Sequence, residues 1–295
     1  MKQRYKRQNR GVQLLWLPLI AALTLGTVSM AAAETTLERI RASGKVKVGI
    51  ANINPYGYVD GEGRVTGQSA ELLRAFFAEQ NVEVTPVVTE FGALIGGLRA
   101  GHFDIVSTGM LIQHDRCGVV AFGNPEYRSD NAFAVKQGNP LGLTSYQSVM
   151  ESPAARFGMI SGSGEIALAA NANIPKDRQV LFPDLATAMA GLQADRVDAV
   201  VASTITINNA ITRAANPAIE YASLTEQPKT KSGTPATRYG AMAFRQDDTD
   251  LREAWNSWLA KNLANGTVTK ITEPFGFGPE TIPPSSLTAE DVCNQ

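Results

Sequence analysis

Arg116 carries the side chain best suited to fixing a small anion. Its planar guanidinium can hold a carboxylate through two charge-assisted hydrogen bonds, and it can equally pair with the adjacent Asp115. Proton-transfer chemistry has fewer footholds. His102 lies in the turn sequence Ala100-Gly101-His102-Phe103-Asp104, and His114, two residues before Arg116, has no nucleophile evidently paired with it. Glu90, Glu165 and His114 are the groups that could act as a general acid or base if the chain were a lyase or dehydratase. The only cysteines, Cys117 and Cys293, share no metal-ligand spacing with the histidines. They either pair, tying the C-terminal tail to the Cys117 segment, or remain thiols. No Gly-x-x-x-x-Gly-Lys-Ser/Thr, Gly-x-Gly-x-x-Gly, Gly-x-Ser-x-Gly or His-Glu-x-x-His pattern occurs, which leaves nucleotide, hydrolase and zinc-protease readings without a signature.

The elements that would position these residues begin after an export segment. Lys2, Arg4, Lys6, Arg7 and Arg10 precede an apolar run from Val12 to Met30 and then Ala31-Ala32-Ala33, the order of a signal peptide cleaved after Ala33. A membrane anchor is the alternative, but the run is barely of spanning length and contains Pro18 and Gly26. No cysteine follows it that could carry a lipid. In an oxidising compartment outside the inner membrane, Cys117 and Cys293 can form a disulfide, with two buried or free thiols as the alternative. Of the 27 Lys and Arg, removing these five leaves 22 against 28 Asp and Glu, a net charge of −6. Such a chain is a poor nucleic-acid binder.

From 34 onward, strand-like apolar runs alternate with helical patterns: 46–50, 69–79, 82–88, 91–100 and 104–107. The rhythm restarts after Pro140 with 146–151, 155–160, 164–171, 179–182, 185–194 and 198–202. Two α/β units in series follow from this. Runs at 132–135 and 240–244 bracket the second unit as outgoing and returning connections, so it is an insertion within the first. The expected division is 1–33 signal peptide, 34–135 plus 243–295 lobe one, and 136–242 lobe two. At 250–264, Leu251, Trp255, Trp258, Leu259 and Leu263 recur at helical spacing, with Asp248 or Asp250 as a cap, and should pack back on lobe one. The tail beyond Phe275, with Pro279, Pro283 and Pro284, reads as an extended loop.

The segments GIANINPYGYVDGEGRVTGQSAELLRAF and TEFGALIGGLRAGHFDIVSTGMLIQHDRCGVVAFGNPEY resemble the extracellular solute-binding proteins of polar amino-acid-type ABC importers, family 3. The likeness covers essentially the whole chain after residue 33. Within that family, Pro-Tyr-Gly-Tyr, Thr-Glu-Phe-Gly, Gly-Met-x-Ile and Arg-Cys are most similar to the ectoine- and hydroxyectoine-binding proteins. The resemblance implies a type II, two-lobed periplasmic binding protein that is not an enzyme. It would act as a periplasmic monomer without a cofactor, holding a small zwitterionic solute in the interlobe cleft and delivering it to membrane permease subunits.

In such a cleft, ligands sit at the carboxyl ends of strands and at helix N-termini. Asn54 and Tyr56 follow the first strand, Phe91 opens a helix, Thr108, Gly109 and Leu111 follow another strand, and Arg116 lies just beyond. By the resemblance, Arg116 takes the ligand carboxylate, and Gly162 and Ser163, ahead of a helix in lobe two, complete the cradle. Tyr56 and Phe91 match two members of an aromatic box for a delocalised cation, each contributing roughly 0.5–2 kcal/mol. Two positions depart from that pattern: Leu111 stands where a third aromatic is usual, and Ile53 where an acid is usual. Losing both would weaken a cation site on the order of tenfold or more. Ser203 replaces the aspartate with which amino-acid binders pair an α-ammonium, which disfavours an ordinary amino acid. A polar amino acid or related carboxylate is the alternative ligand, and a lyase or dehydratase on the same fold the alternative function.

Overall fold

In the computed structural model, Met1 and residues 34–229 and 238–294 are described. The expected export signal at 1–33 lies outside the described residues. No helix among them is long and apolar enough to cross a membrane.

The chain builds two five-stranded sheets. The first runs in the order Glu83–Val88, Lys45–Ile50, Ile105–Val106, Ala243–Phe244, Ala121–Phe122. Its first three strands are parallel, and Ala243–Phe244 is antiparallel to its neighbours. Val46, Val48 and Ile50 alternate inward from Lys45 and Lys47, as a strand with a period of two must. The helix Gln68–Ala78 lays Leu72, Leu73, Phe76 and Phe77 on that sheet. The expected helix at 250–264 forms as Thr249–Ala264, and Trp255 and Trp258 stack at 5.3 Å beside Phe76 in the same core. Its cap differs from expectation. Asp248 occupies the N-cap position but its carboxylate pairs with Arg245 at 2.9 Å and caps no backbone N–H.

The second sheet runs Gln179–Phe182, Phe157–Ile160, Ala199–Ser203, Asn131–Lys136, Ile219–Ser223. Its central strands are buried on both faces and read as unbroken apolar runs. Phe133, Tyr146 and Phe157 form the aromatic centre of its core.

Three expectations need correction. The strand Asn131–Lys136 lies in the second sheet throughout, antiparallel to Ala199–Ser203 and Ile219–Ser223, so a lobe boundary at 135 cuts through it. Apolar alternation shows that a strand exists without showing which sheet it joins. The run at 240–244 splits for a similar reason. Arg238–Gly240 pairs antiparallel with Tyr127–Ser129 in a separate two-stranded link, and only Ala243–Phe244 enters the first sheet. These two link strands are the connections where the chain passes between the sheets. The tail, expected to be extended, contains a short helix, Ala289–Cys293, started by a reciprocal cap between Thr288 and Asp291.

Candidate functional site

A cavity of ≈ 50 Å³ lies where loops from both sheets converge. Such a volume suits a small molecule, being far below the ~300 Å³ of a drug-sized site.

The first-sheet wall comes from the ends of its strands. After Lys45–Ile50 the chain turns tightly, with Tyr56 N–H donating to Ile53 O at 2.8 Å. The start of helix Gln68–Ala78 then grips the turn: Gln68 N–H donates to Pro55 O at 2.8 Å and Ser69 N–H to Tyr56 O at 2.9 Å. This fixes the Tyr56 ring against Tyr127, 4.9 Å between centroids, and Phe277, 5.2 Å. Gly109 has φ +71°, and a Cβ there would lie 2.3 Å from Tyr56 Cγ, so only glycine lets the chain pass this ring. Tyr127 donates its hydroxyl to Gly109 O at 2.8 Å, holding the two together. Thr108 spends its hydroxyl on the scaffold, accepting from Ala51 N–H at 3.0 Å.

Arg116 sits in the one-turn helix His114–Cys117 and is 6% exposed. Its Nη1 donates to Leu111 O at 2.8 Å, and its Nη2 donates across the cleft to Gly162 O at 2.6 Å. Its guanidinium carbon lies 5.6 Å from the centre of the Phe91 ring. Burial pulls its pKa down, against the opposing charges of Glu165 and Asp115. Cys117 and Cys293 are joined in a disulfide, with Cα atoms 6.0 Å apart, directly beside this arginine.

The second-sheet wall carries Ser163, Glu165 and Ser203. Ser203 ends the strand Ala199–Ser203 and caps the helix Thr204–Ala214, its Oγ accepting from Thr206 N–H at 3.0 Å. The same oxygen shares a hydrogen bond of 2.8 Å with Tyr56 Oη, so the two walls touch directly. Burial raises the pKa of Tyr56, which keeps it a neutral phenol. Glu165 opens the helix Glu165–Asn171 and meets Arg238 at 2.6 Å, both side chains less than a tenth exposed. Burial alone would raise the Glu165 pKa; the charge and hydrogen bond of Arg238 outweigh it and hold the carboxyl below its usual range.

Of the residues expected at the site, the structure brings Tyr56, Phe91, Thr108, Gly109, Leu111, Arg116, Ser163 and Ser203 to the cavity wall. Asn54 and Gly162 are not on it: Asn54 Oδ1 is buried without a partner, and Gly162 serves through its carbonyl on Arg116. Ile53, noted for its departure from the family pattern, does line the cavity. The sequence reading missed Tyr127, Thr206 and Arg238, and it considered Glu165 only as a proton-transfer group. Glu90 is exposed, and His114 faces away to Cys293 O at 2.9 Å; neither is on the cavity wall.

A model of the family described as bacterial extracellular solute-binding proteins, family 3, matches residues 46–279. The chain is 27% identical over 278 residues to a probable amino-acid ABC transporter periplasmic-binding protein, y4tE, of Sinorhizobium fredii (strain NBRC 101917 / NGR234), covering 93% of this chain and 91% of that one. Among solved structures it is similar to EhuB in complex with hydroxyectoine, at 32% identity and a TM-score of 0.79, over 88% of this chain and 98% of that one. It is also similar to AncCDT-1, an ancestral amino acid-binding protein and precursor of cyclohexadienyl dehydratase, at 25% identity and a TM-score of 0.70, over 82% and 99% of the two chains.

Proposed function

The chain belongs to the bacterial extracellular solute-binding proteins of family 3, with the type II two-lobed fold, and from that membership we propose that it is the periplasmic substrate-binding component of an ABC importer, capturing a small solute that bears a carboxylate. The observation that carries this reading is the buried arginine Arg116 on a cavity whose walls come from both sheets. A guanidinium desolvated there is stabilised by an anion that enters with it, and a cavity of this size admits only a small one.

Ectoine and hydroxyectoine are the first ligands to test. The 32% identity to the hydroxyectoine complex supports them, as does the presence of Tyr56 and Phe91 on the cavity wall. Leu111 and Ile53 line it too, in place of an aromatic and an acid, which weakens the site for a cation. In this reading residues 1–33 are removed on export, and the solute is enclosed as the lobes swing together about the link strands Tyr127–Ser129 and Arg238–Gly240.

A lyase on this fold would need a general acid or base at the ligand. Glu165 is the carboxyl on the cavity wall, and it is committed to Arg238. Binding without turnover is therefore the function the geometry favours.

A thermal-shift and calorimetric panel of ectoine, hydroxyectoine, betaines, proline, amino acids and simple carboxylates tests the assignment. At least one carboxylate is expected to raise Tm by several degrees and to be recovered unchanged after long incubation. Arg116→Ala should abolish that shift. No response to any carboxylate, or retention of affinity in Arg116→Ala, would overturn the reading.

A further inference from the structure

Arg238 was not part of any expectation, and its situation is unusual for a buried cation. Its Nη2 donates to Glu165 Oε1 at 2.6 Å, while its Nη1 is buried with no hydrogen-bond partner. Ser163 Oγ, on the same cavity, is also buried without a well-formed hydrogen bond, lying beside the Glu165 carboxylate that it helps to keep ionised. Buried N–H and O–H groups are almost always satisfied, because leaving one unpaired forfeits its hydration with nothing in return. Among the described residues, these are the two unpartnered buried side-chain polar atoms that belong to residues lining the cavity. The Arg238 nitrogen can only donate, so what completes it is an acceptor.

The charges on the wall add a second constraint. Arg116, Arg238 and Glu165 are the only charged residues lining the cavity among those described. With Glu165 ionised and paired to Arg238, they sum to one positive charge. A buried site is most stable when its contents leave no net charge. A ligand with one negative charge and no cation achieves this. A zwitterion leaves the positive charge in place and brings its own cation beside two guanidinium groups, with the one carboxylate already engaged.

Resting on the carboxylate-capture reading above, we propose that Arg238 Nη1, with Ser163 Oγ, is a second ligand anchor for a neutral oxygen acceptor. The cavity is thereby selective for small monoanionic carboxylates carrying a carbonyl or hydroxyl oxygen over zwitterions of the same shape. Arg116 takes the carboxylate, and Arg238 reads the second oxygen. Glu165 is a positioning residue: it holds Arg238 in place and cancels its charge, so that the pair contributes a donor without adding to the net charge.

The test is isothermal titration of the mature chain with ligands matched in ring size. Pyroglutamate has a carboxylate and a neutral lactam oxygen; proline has a similar ring with an ammonium; cyclopentanecarboxylate has the carboxylate alone. Ectoine and hydroxyectoine, whose rings are larger by one atom, are added as the zwitterions with a delocalised cation. Pyroglutamate is expected to bind at least tenfold more tightly than proline, cyclopentanecarboxylate or ectoine. Equal or tighter binding of proline or ectoine overturns the selectivity while leaving carboxylate capture standing; no binding by any member overturns both. In the double variant Arg238→Gln/Glu165→Gln the net wall charge is unchanged. The advantage of pyroglutamate over cyclopentanecarboxylate should then fall to within twofold, with circular dichroism and a cooperative thermal transition reporting that the variant is folded. If Arg238→Gln/Glu165→Gln fails to fold, Ser163→Ala is read the same way, with a smaller loss of that advantage expected. An advantage that persists undiminished in the folded variant overturns the role of Arg238.

Discussion

Glu126 is fully enclosed where the link strands leave the first sheet, and no cation among the described residues pairs with it. Its carboxylate accepts from Met242 N–H at 2.8 Å, from Ser69 Oγ at 3.2 Å and from Gln68 Nε2 at 3.3 Å. Burial outweighs these three donors and pushes its pKa up to about 7 from an ordinary 4.5. Between those two values the native protein keeps a proton that the unfolded chain has released. Native stability therefore falls as pH rises through this window and is free of the penalty below it. The full cost above pH 8 is about 3 kcal/mol. Glu126→Gln removes the titration, so its Tm relative to the parent should be near or below zero at pH 4.5 and rise steadily to pH 8.5. Thermal unfolding across that range checks it, and a pH-independent difference would show that the carboxylate is not desolvated as the structure has it. At this scale the sequence exposes some residues and hides others for one reason. Arg116, Tyr56, Phe91 and Leu111 could be read because each lies just past the end of a local strand or opens a local helix. Arg238 and Glu165 gain their roles from an approach between segments 73 residues apart, to which no local pattern refers.

Among the elements, the one-turn helix His114–Cys117 depends most on outside support. With four residues it has too few internal hydrogen bonds to be stable alone. The C-terminal helix Ala289–Cys293 supplies the support through the Cys117–Cys293 disulfide and through the contact between His114 Nδ1 and Cys293 O. The bond closes a sequence separation of 176 residues, so its loss frees a long loop in the unfolded chain, at a cost of about 2–5 kcal/mol. Because Arg116 is the next residue, the cost should reach the ligand as well. Cys117→Ser/Cys293→Ser is expected to unfold several degrees lower than the parent and to bind its carboxylate ligand several-fold more weakly. Unfolding and titration of the double variant measure both. A loss of stability with unchanged affinity would mean that the helix holds Arg116 without the tail. The alternation of strands and helices and the Thr249–Ala264 helix were legible because their apolar periods are long and regular. The tail helix was not, because five residues after two prolines offer only a Thr-x-x-Asp cap as a signal. The assignment of Asn131–Lys136 to a sheet was not legible either, since all its partners are distant in sequence.

For residues 34–294 taken together, the contacts across the cleft decide how capture works. The walls are bridged by Tyr56 Oη with Ser203 Oγ at 2.8 Å, by Arg116 Nη2 to Gly162 O at 2.6 Å and by Gln113 Nε2 to Gly164 O at 3.5 Å. Each bridge joins protein to protein, so as the lobes swing about the link strands it favours the closed arrangement, and a ligand that binds that arrangement better adds to the same bias. The apparent dissociation constant is the intrinsic one divided by the closed fraction, so weakening a bridge should weaken binding even where no ligand contact is lost. Tyr56→Phe isolates this effect: it keeps the aromatic face packed on Tyr127 and Phe277 and removes only the hydroxyl that meets Ser203, which keeps its bond to Thr206 N–H. One hydrogen bond of this kind contributes about 1 kcal/mol net, which moves the open-to-closed ratio about fivefold toward open. Affinity should fall by up to about that factor. Small-angle scattering of the ligand-free variant should show a larger radius of gyration than the parent, and the two should coincide once saturated with ligand. If affinity drops while the ligand-free dimensions stay equal, Tyr56 Oη contacts the ligand directly and closure is driven by the solute alone.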